Sequence, residues 1–314
     1  MLDSFVFSLN STLPVFLVIV VGKLLNKFGL FSKEFASMTD KFVFKAALPI
    51  LLFKDISEMD FTKDFDVKFV AFCAVVTVCM FLLVWAVALL LVKDKTMVGS
   101  FAQGAARGSA AILGIALATN IYGSSGLAPL MIFSAVPLFN ILSVIILTFS
   151  AQHGERKVDI AKILKNIITN PIILGILAGV PFSLLDISLP TVITATVDTV
   201  AKTATPMALL AIGASFSMAE AKKKLAPSLW ASFIKLFALP AIFLPVAVFL
   251  GFRDSALVAI LVMLGSPTTV TSYVMAKNMD NDGVLASNIV MLATLLSSVS
   301  VTFWVFLLRY FALI

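Results

Sequence analysis

Between Lys68 and Lys93 the chain reads FVAFCAVVTVCMFLLVWAVALLLV, 24 residues without a charge. A helix of about 20 apolar residues crosses the hydrocarbon core of a bilayer, so this stretch alone argues for a membrane protein. The pattern recurs. Lys165 to Asp186, Asp254 to Lys277 and Asp282 to Arg309 each bracket another apolar stretch. Between Arg107 and Glu155 lie 47 uncharged residues, enough for the end of one helix, the turn Tyr122-Gly123-Ser124-Ser125-Gly126 and a whole further helix. Of 314 residues, 61% are hydrophobic, 13% are charged and 28 are Phe, with a mean hydropathy of +1.09. Soluble proteins carry about 25% charged residues. No protein interior could hide so many apolar side chains, which excludes disorder, a fibrous rod and an ordinary soluble enzyme. An all-α integral membrane protein with ten spans is expected, at 4–26, 34–57, 67–92, 96–121, 126–150, 162–185, 190–217, 226–250, 254–278 and 284–312.

Loop charge orients the spans. One set of alternating loops holds Lys23, Lys27, Lys33, Lys93, Lys95, Arg156, Lys157, Lys162, Lys165, Lys222, Lys223, Lys224 and Lys277; the other holds only Lys54, Lys63, Lys68, Arg253 and Arg309. Positive loops stay cytoplasmic, so the first set is expected inside, with both termini outside an inner (plasma) membrane. The net charge of +6 therefore reads as topology and not as nucleic-acid binding. Lys222-Lys223-Lys224 is part of that signal, and His153 is a loop residue. Cys73 and Cys79 share one apolar stretch and show no metal spacing. Asp3 precedes the first span with no basic segment before it, so a cleaved signal peptide is not expected.

Shifting the chain along itself by 157 residues, half its length, superimposes Pro14 on Pro171, Gly22 on Gly179, Lys45 on Lys202 and Pro49 on Pro206. Leu52 falls on Leu209, Gly108 on Gly265, Ser109 on Ser266 and Gly126 on Gly283, without a gap. Five spans per half is an odd number, so the second half must enter from the opposite face. That is an inverted repeat, 1–157 and 158–314, an architecture of secondary transporters with substrate at the midplane.

Spans four and nine carry the break signals. The first reads Gly104-Ala105-Ala106-Arg107-Gly108-Ser109-Ala110, the second Leu264-Gly265-Ser266-Pro267-Thr268-Thr269. Proline lacks an N–H and clashes with the preceding turn, while glycine tolerates unusual backbone angles. Backbone freed at membrane depth must face protein or a watery cavity, and half-helix N-termini suit an anion. Mid-membrane charges cost at least about 2.5–3.5 kcal/mol each and need a reason. Arg107 and Lys202 are candidate anion ligands. Asp40 and Asp198 are candidate counter-charges or proton carriers, with Lys45 in the same network. Asn140 offers a mid-span amide. Lys235, about nine residues inside span eight, is expected to snorkel to the interface. There is no phosphate loop ending in Gly-Lys-Ser/Thr, and one loop histidine supports neither a metal centre nor a triad.

Several stretches resemble the auxin efflux carrier family: Pro206-Met207-Ala208-Leu209-Leu210-Ala211-Ile212-Gly213, then Arg107-Gly108-Ser109 followed by Leu113-Gly114-Ile115-Ala116-Leu117 and Tyr122-Gly123. Ser266-Pro267-Thr268-Thr269 with Ala276-Lys277, and Pro137 with Asn140, add to it. The chain lacks the long central loop of many plant members and has Gly108-Ser109 where those carry a proline-containing break, which places it with the short prokaryotic permeases. The resemblance implies ten transmembrane helices in two inverted five-helix repeats with broken, crossing helices 4 and 9. It also implies a scaffold unit (helices 1, 2, 6 and 7), a transport unit (helices 3–5 and 8–10) and a homodimer through the scaffold. Members carry organic anions, including auxins and small carboxylates such as malate or malonate. The expected substrate site is Arg107, Gly108, Ser109, Asn140, Ser266, Pro267, Thr268, Thr269 and Lys202, without cofactor or metal, and with proton coupling. Competing readings are a sodium-coupled organic anion symporter of the bile-acid transporter type, a membrane sensor that binds without transport, and an intramembrane enzyme.

Overall fold

The computed structural model describes residues 2–58, 66–122, 124–151 and 160–314, with the side chains of 2–12, 111–116 and 160–163 outside the described set. Lys63, Gly123, His153, Glu155, Arg156, Lys157 and the side chain of Lys162 therefore lie outside the described residues. Among those described, every regular element is helical. They are α1 (Leu2–Lys27), α2 (33–57), α3 (Val67–Leu91), α4 (Val98–Ala106), α5 (Ala110–Tyr122), α6 (Ala128–Ala151) and α7 (Ile160–Ile168). They continue with α8 (Pro171–Leu184), α9 (Thr191–Ser215), α10 (Met218–Lys223), α11 (Leu225–Phe249), α12 (Asp254–Gly265), α13 (Thr271–Asn278) and α14 (Gly283–Tyr310).

Four of these, α3, α6, α11 and α14, are long and apolar enough to cross a bilayer. Only part of α3 is buried inside the protein; side chains including Val75, Leu82, Leu83 and Leu90 face outward and need an apolar solvent. The protein is a multi-pass membrane protein. The single span expected over 162–185 is instead two helices. Asn170 caps α8, its Oδ1 accepting from the Ile172 N–H at 2.9 Å, and Pro171 takes the first helical position, where its missing N–H is not needed.

Two helices carry a single wide π turn: Val43–Ala47 in α2 and Ile234–Ala238 in α11. Each lies just before a proline, Pro49 and Pro240. A proline inside a helix cannot bond the carbonyl four residues back. For Pro240 that carbonyl belongs to Leu236, and the Trp304 indole N–H of α14 donates to it at 2.9 Å. The bulge thus relieves the proline clash and turns the side chains within it, Lys45 and Lys235, out of ordinary register.

Glycines bring backbones into contact. A Cβ on Gly213 of α9 would sit 2.0 Å from the Ile19 carbonyl oxygen of α1, and one on Gly175 of α8 would sit 2.4 Å from that of Pro49 in α2. Small residues of this kind are how membrane helices gain packing energy, since lipid supplies no hydrophobic drive between them. Two apolar cores result. One is built mainly from α3, α4, α6, α11, α12 and α14; the other joins α1, α2, α8 and α9 to the inner faces of α6, α13 and α14.

Candidate functional site

The helices break where Gly108, Ser109, Ser266 and Pro267 lie. α4 stops at Ala106 and α5 starts at Ala110; α12 stops at Gly265 and α13 starts at Thr271. Arg107 and Ser266, the residues following the two breaks' first halves, are both extended. The breaks meet. The Ser109 N–H donates to the Pro267 carbonyl at 2.8 Å, and the Thr268 hydroxyl donates to the Gly104 carbonyl at 2.7 Å. Gln103 adds a third bridge, its Nε2 donating to the Ser272 carbonyl at 2.7 Å. Gly108 permits the approach: a Cβ there would lie 2.3 Å from Ser266 Oγ.

Arg107 is buried beside this crossing, at 4% exposure. Its Nη2 donates to Asn140 Oδ1 at 2.6 Å, and Nη1 lies 2.7 Å from Met275 Sδ. Asn140 is itself fixed, its Nδ2 donating to the Val136 carbonyl at 2.9 Å. Among the described residues no carboxylate pairs with Arg107. Its Nε and the Ser266 hydroxyl are buried without hydrogen-bond partners there. A buried guanidinium held by a neutral amide keeps its charge available for an anion.

Lys235 was expected to snorkel, and it does the opposite. It is fully buried, and its Nζ donates to the carbonyls of Ala106 at 3.0 Å and Met263 at 3.1 Å. These carbonyls belong to the last turns of α4 and α12, so one ammonium caps the C-terminal ends of both half-helices. The sequence offered one signal for this, a lysine deep in a span and five residues before a proline. The half-length shift did not flag it, because position 78 is Val.

A sequence model of membrane transport proteins matches residues 7–305, nearly the whole chain. The chain belongs to this membrane transport protein family. The resemblance to the auxin efflux carriers is thereby upheld. Among its relatives is a protein of Methanothermobacter thermautotrophicus named "Uncharacterized transporter", 24% identical over 306 residues, covering 96% of this chain and 98% of the relative. Another is a protein of Rhizobium meliloti named "Putative malonate transporter", 26% identical over 307 residues, covering 96% of each chain.

In this member of the family, two clusters of charged residues lie away from the crossing's hydrogen bonds. Asp40 on α2 is 1% exposed, and its Oδ2 accepts from Lys277 Nζ at 2.5 Å and from the Tyr273 hydroxyl at 3.0 Å. Lys277 also reaches Ser215 Oγ on α9 at 3.4 Å. This cluster ties α13 to α2 and α9. The charge pattern alone places Lys277 in a loop, and nothing in the sequence points to Tyr273. The second group is Asp198, which pairs with Lys54 of α2 at 2.5 Å and with Lys202. The Lys202 side chain is 74% exposed and, among the described residues, pairs with Asp198 and not with the crossing. Lys45 is exposed as well. Thr269 is partly buried, its hydroxyl 3.5 Å from that of Thr271. The structure therefore gathers Arg107, Gly108, Ser109, Asn140, Ser266, Pro267 and Thr268 in one place, with Thr269 at the edge, and leaves Lys202, Asp198 and Lys45 outside.

Proposed function

We propose that this transport protein is a secondary carrier of small organic anions, carboxylates of the malonate or malate size or auxin-like acids, bound where the two broken helices cross. The observation that carries the reading is Arg107: a buried guanidinium, oriented by Asn140, without a carboxylate partner among the described residues. α5 and α13 begin just after the two breaks, and their starts add positive helix ends near the same place. The Rhizobium meliloti relative's name, "Putative malonate transporter", agrees with a small carboxylate.

The membrane architecture proposed is ten transmembrane helices in two inverted repeats, 1–157 and 158–314. One pair of contacts supports it. A Cβ on Gly22 would meet the Leu210 carbonyl, and a Cβ on Gly179 would meet the Phe53 carbonyl. The shift of 157 carries Gly22 onto Gly179 and Phe53 onto Leu210, so one contact is the image of the other. The proposed scaffold is α1, α2, α8 and α9, whose shared core also takes the inner faces of α6, α13 and α14, and the proposed transport unit includes both broken helices. Alternating access then consists of moving the crossing past the scaffold, and a homodimer would form through the scaffold.

Uptake by purified protein in liposomes tests this reading. Labelled malonate should enter, should exchange in counterflow, and should accumulate under an inward proton gradient without sodium. Sodium-dependent accumulation would favour the symporter alternative. Binding without counterflow would make the chain a sensor, and the absence of any carboxylate binding would overturn the proposal.

A further inference from the structure

Lys235 is the second buried cation at the crossing, and nothing in the anion-site reading uses it. Its ammonium has no carboxylate partner among the described residues. Its acceptors are the Ala106 and Met263 carbonyls. The C-terminal end of a helix carries roughly half a negative charge from its unsatisfied carbonyls. Two such ends, α4 and α12, converge here, and together they amount to about one negative charge, which the ammonium cancels. Left uncancelled, that charge would sit beside Gly108, because a Cβ on Gly108 would lie 2.9 Å from Lys235 Nζ. It would repel an anion at the same spot where the starts of α5 and α13 and Arg107 attract one. The π turn at Ile234–Ala238 aims the side chain inward, and the Trp304 indole anchors that turn.

We infer that Lys235 is a positioning residue for anion binding: it neutralises the two carbonyl ends that meet at the crossing, so that only positive helix ends and Arg107 face the substrate. The inference rests on the carboxylate reading above and extends it with a determinant of ligand charge.

The role is electrostatic, which separates it from packing. The interaction of a fixed protein charge with a ligand is proportional to the ligand's charge. Removing the Lys235 charge must therefore penalise a dianion twice as much, in free energy, as a monoanion of the same shape. Malonate and its half-amide, malonamate, are such a pair above neutral pH. Lys235→Gln is the variant of choice, since it keeps hydrogen-bond donors on a side chain one bond shorter while the charge is gone. If it weakens malonamate about five-fold, malonate should weaken about twenty-five-fold, the square. Lys235→Arg keeps the charge and should hold the malonate-to-malonamate affinity ratio within about two-fold of wild type. Affinities are read by calorimetry on the full chain in detergent or nanodiscs. Equal losses for the two ligands in Lys235→Gln, or no loss, overturn the inference and leave the carboxylate reading intact. Should that variant fail to reach the membrane, Lys235→Arg decides: a collapsed ratio despite retained charge overturns the inference. If wild type binds neither ligand, the carboxylate reading falls and this inference with it.

Discussion

Replacing Arg107 and Lys202 in turn by Met removes one positive charge each time, and the structure assigns the two changes different consequences. Arg107 is almost fully buried, against Asn140 and Met275. A carboxylate about 4 Å from such a group interacts with it by roughly 4 kcal/mol at the effective dielectric of a protein site, and by roughly 1 kcal/mol in water. After desolvation is subtracted, a loss of about 1.4–3 kcal/mol is expected, which is roughly ten-fold to 150-fold in dissociation constant. Lys202 is largely exposed, and its partner Asp198 keeps a second cation in Lys54. Its removal should cost below about 1 kcal/mol, less than about five-fold. Arg107→Lys should recover part of the affinity, because an ammonium lacks the planar fork that grips a carboxylate. Calorimetric titration of each variant with malonate, beside thermal unfolding to confirm equal folding, gives the comparison. Equal weakening by Arg107→Met and Lys202→Met would refute the assignment of the anion to the crossing. It would restore a site drawing on the Asp198–Lys202 face.

Further outcomes follow from the same geometry. Lys277→Met leaves the buried Asp40 with the Tyr273 hydroxyl as its remaining side-chain donor. It should cost about 3 kcal/mol of stability, and Asp40→Asn on that background should return part of it; independent, additive losses in thermal unfolding would deny the coupling. A short reducible bifunctional thiol cross-linker, spanning the reach of the lysine, between cysteines at Ser215 and Lys277, whose side chains meet between α9 and α13, should arrest transport until reduced, and undiminished transport in the cross-linked state would deny motion of the crossing past α9. Gly213→Ala drives a methyl into the Ile19 carbonyl and should abolish folded yield. Gly29→Ala meets no atom within 4 Å and strains only a positive φ of 76°, which costs about 1 kcal/mol; equal yields of the two would contradict the packing account. Once the exposed native Cys79 is replaced, a cysteine at Lys222 should react only with reagents admitted to the cytoplasm, and labelling from outside would invert the charge-based topology.

The sequence by itself determined the solvent, the all-helical class and the breaks. Uncharged runs of more than 20 residues admit one solvent, and glycine and proline act on the backbone wherever they stand, so Gly108-Ser109 and Ser266-Pro267 mark interruptions whatever packs around them. Arg107 and Asn140 were legible for a related reason, since each is too costly at membrane depth to lack a purpose. Partnership was not legible. Lys45 and Lys202 match under the half-length shift and share a proline four residues on, yet both side chains are exposed, while Lys235, which matches nothing, lies at the crossing. Two π turns contribute to this, because a one-residue change of register turns a side chain to a new face of its helix, and only the resulting contacts reveal the direction. The same holds for Asp40, whose partners Tyr273 and Lys277 stand more than 230 residues away in sequence. Charge and backbone freedom are properties of a residue and its neighbours in the chain; which carbonyl an ammonium reaches depends on how distant helices come together, and the tertiary structure alone decides it.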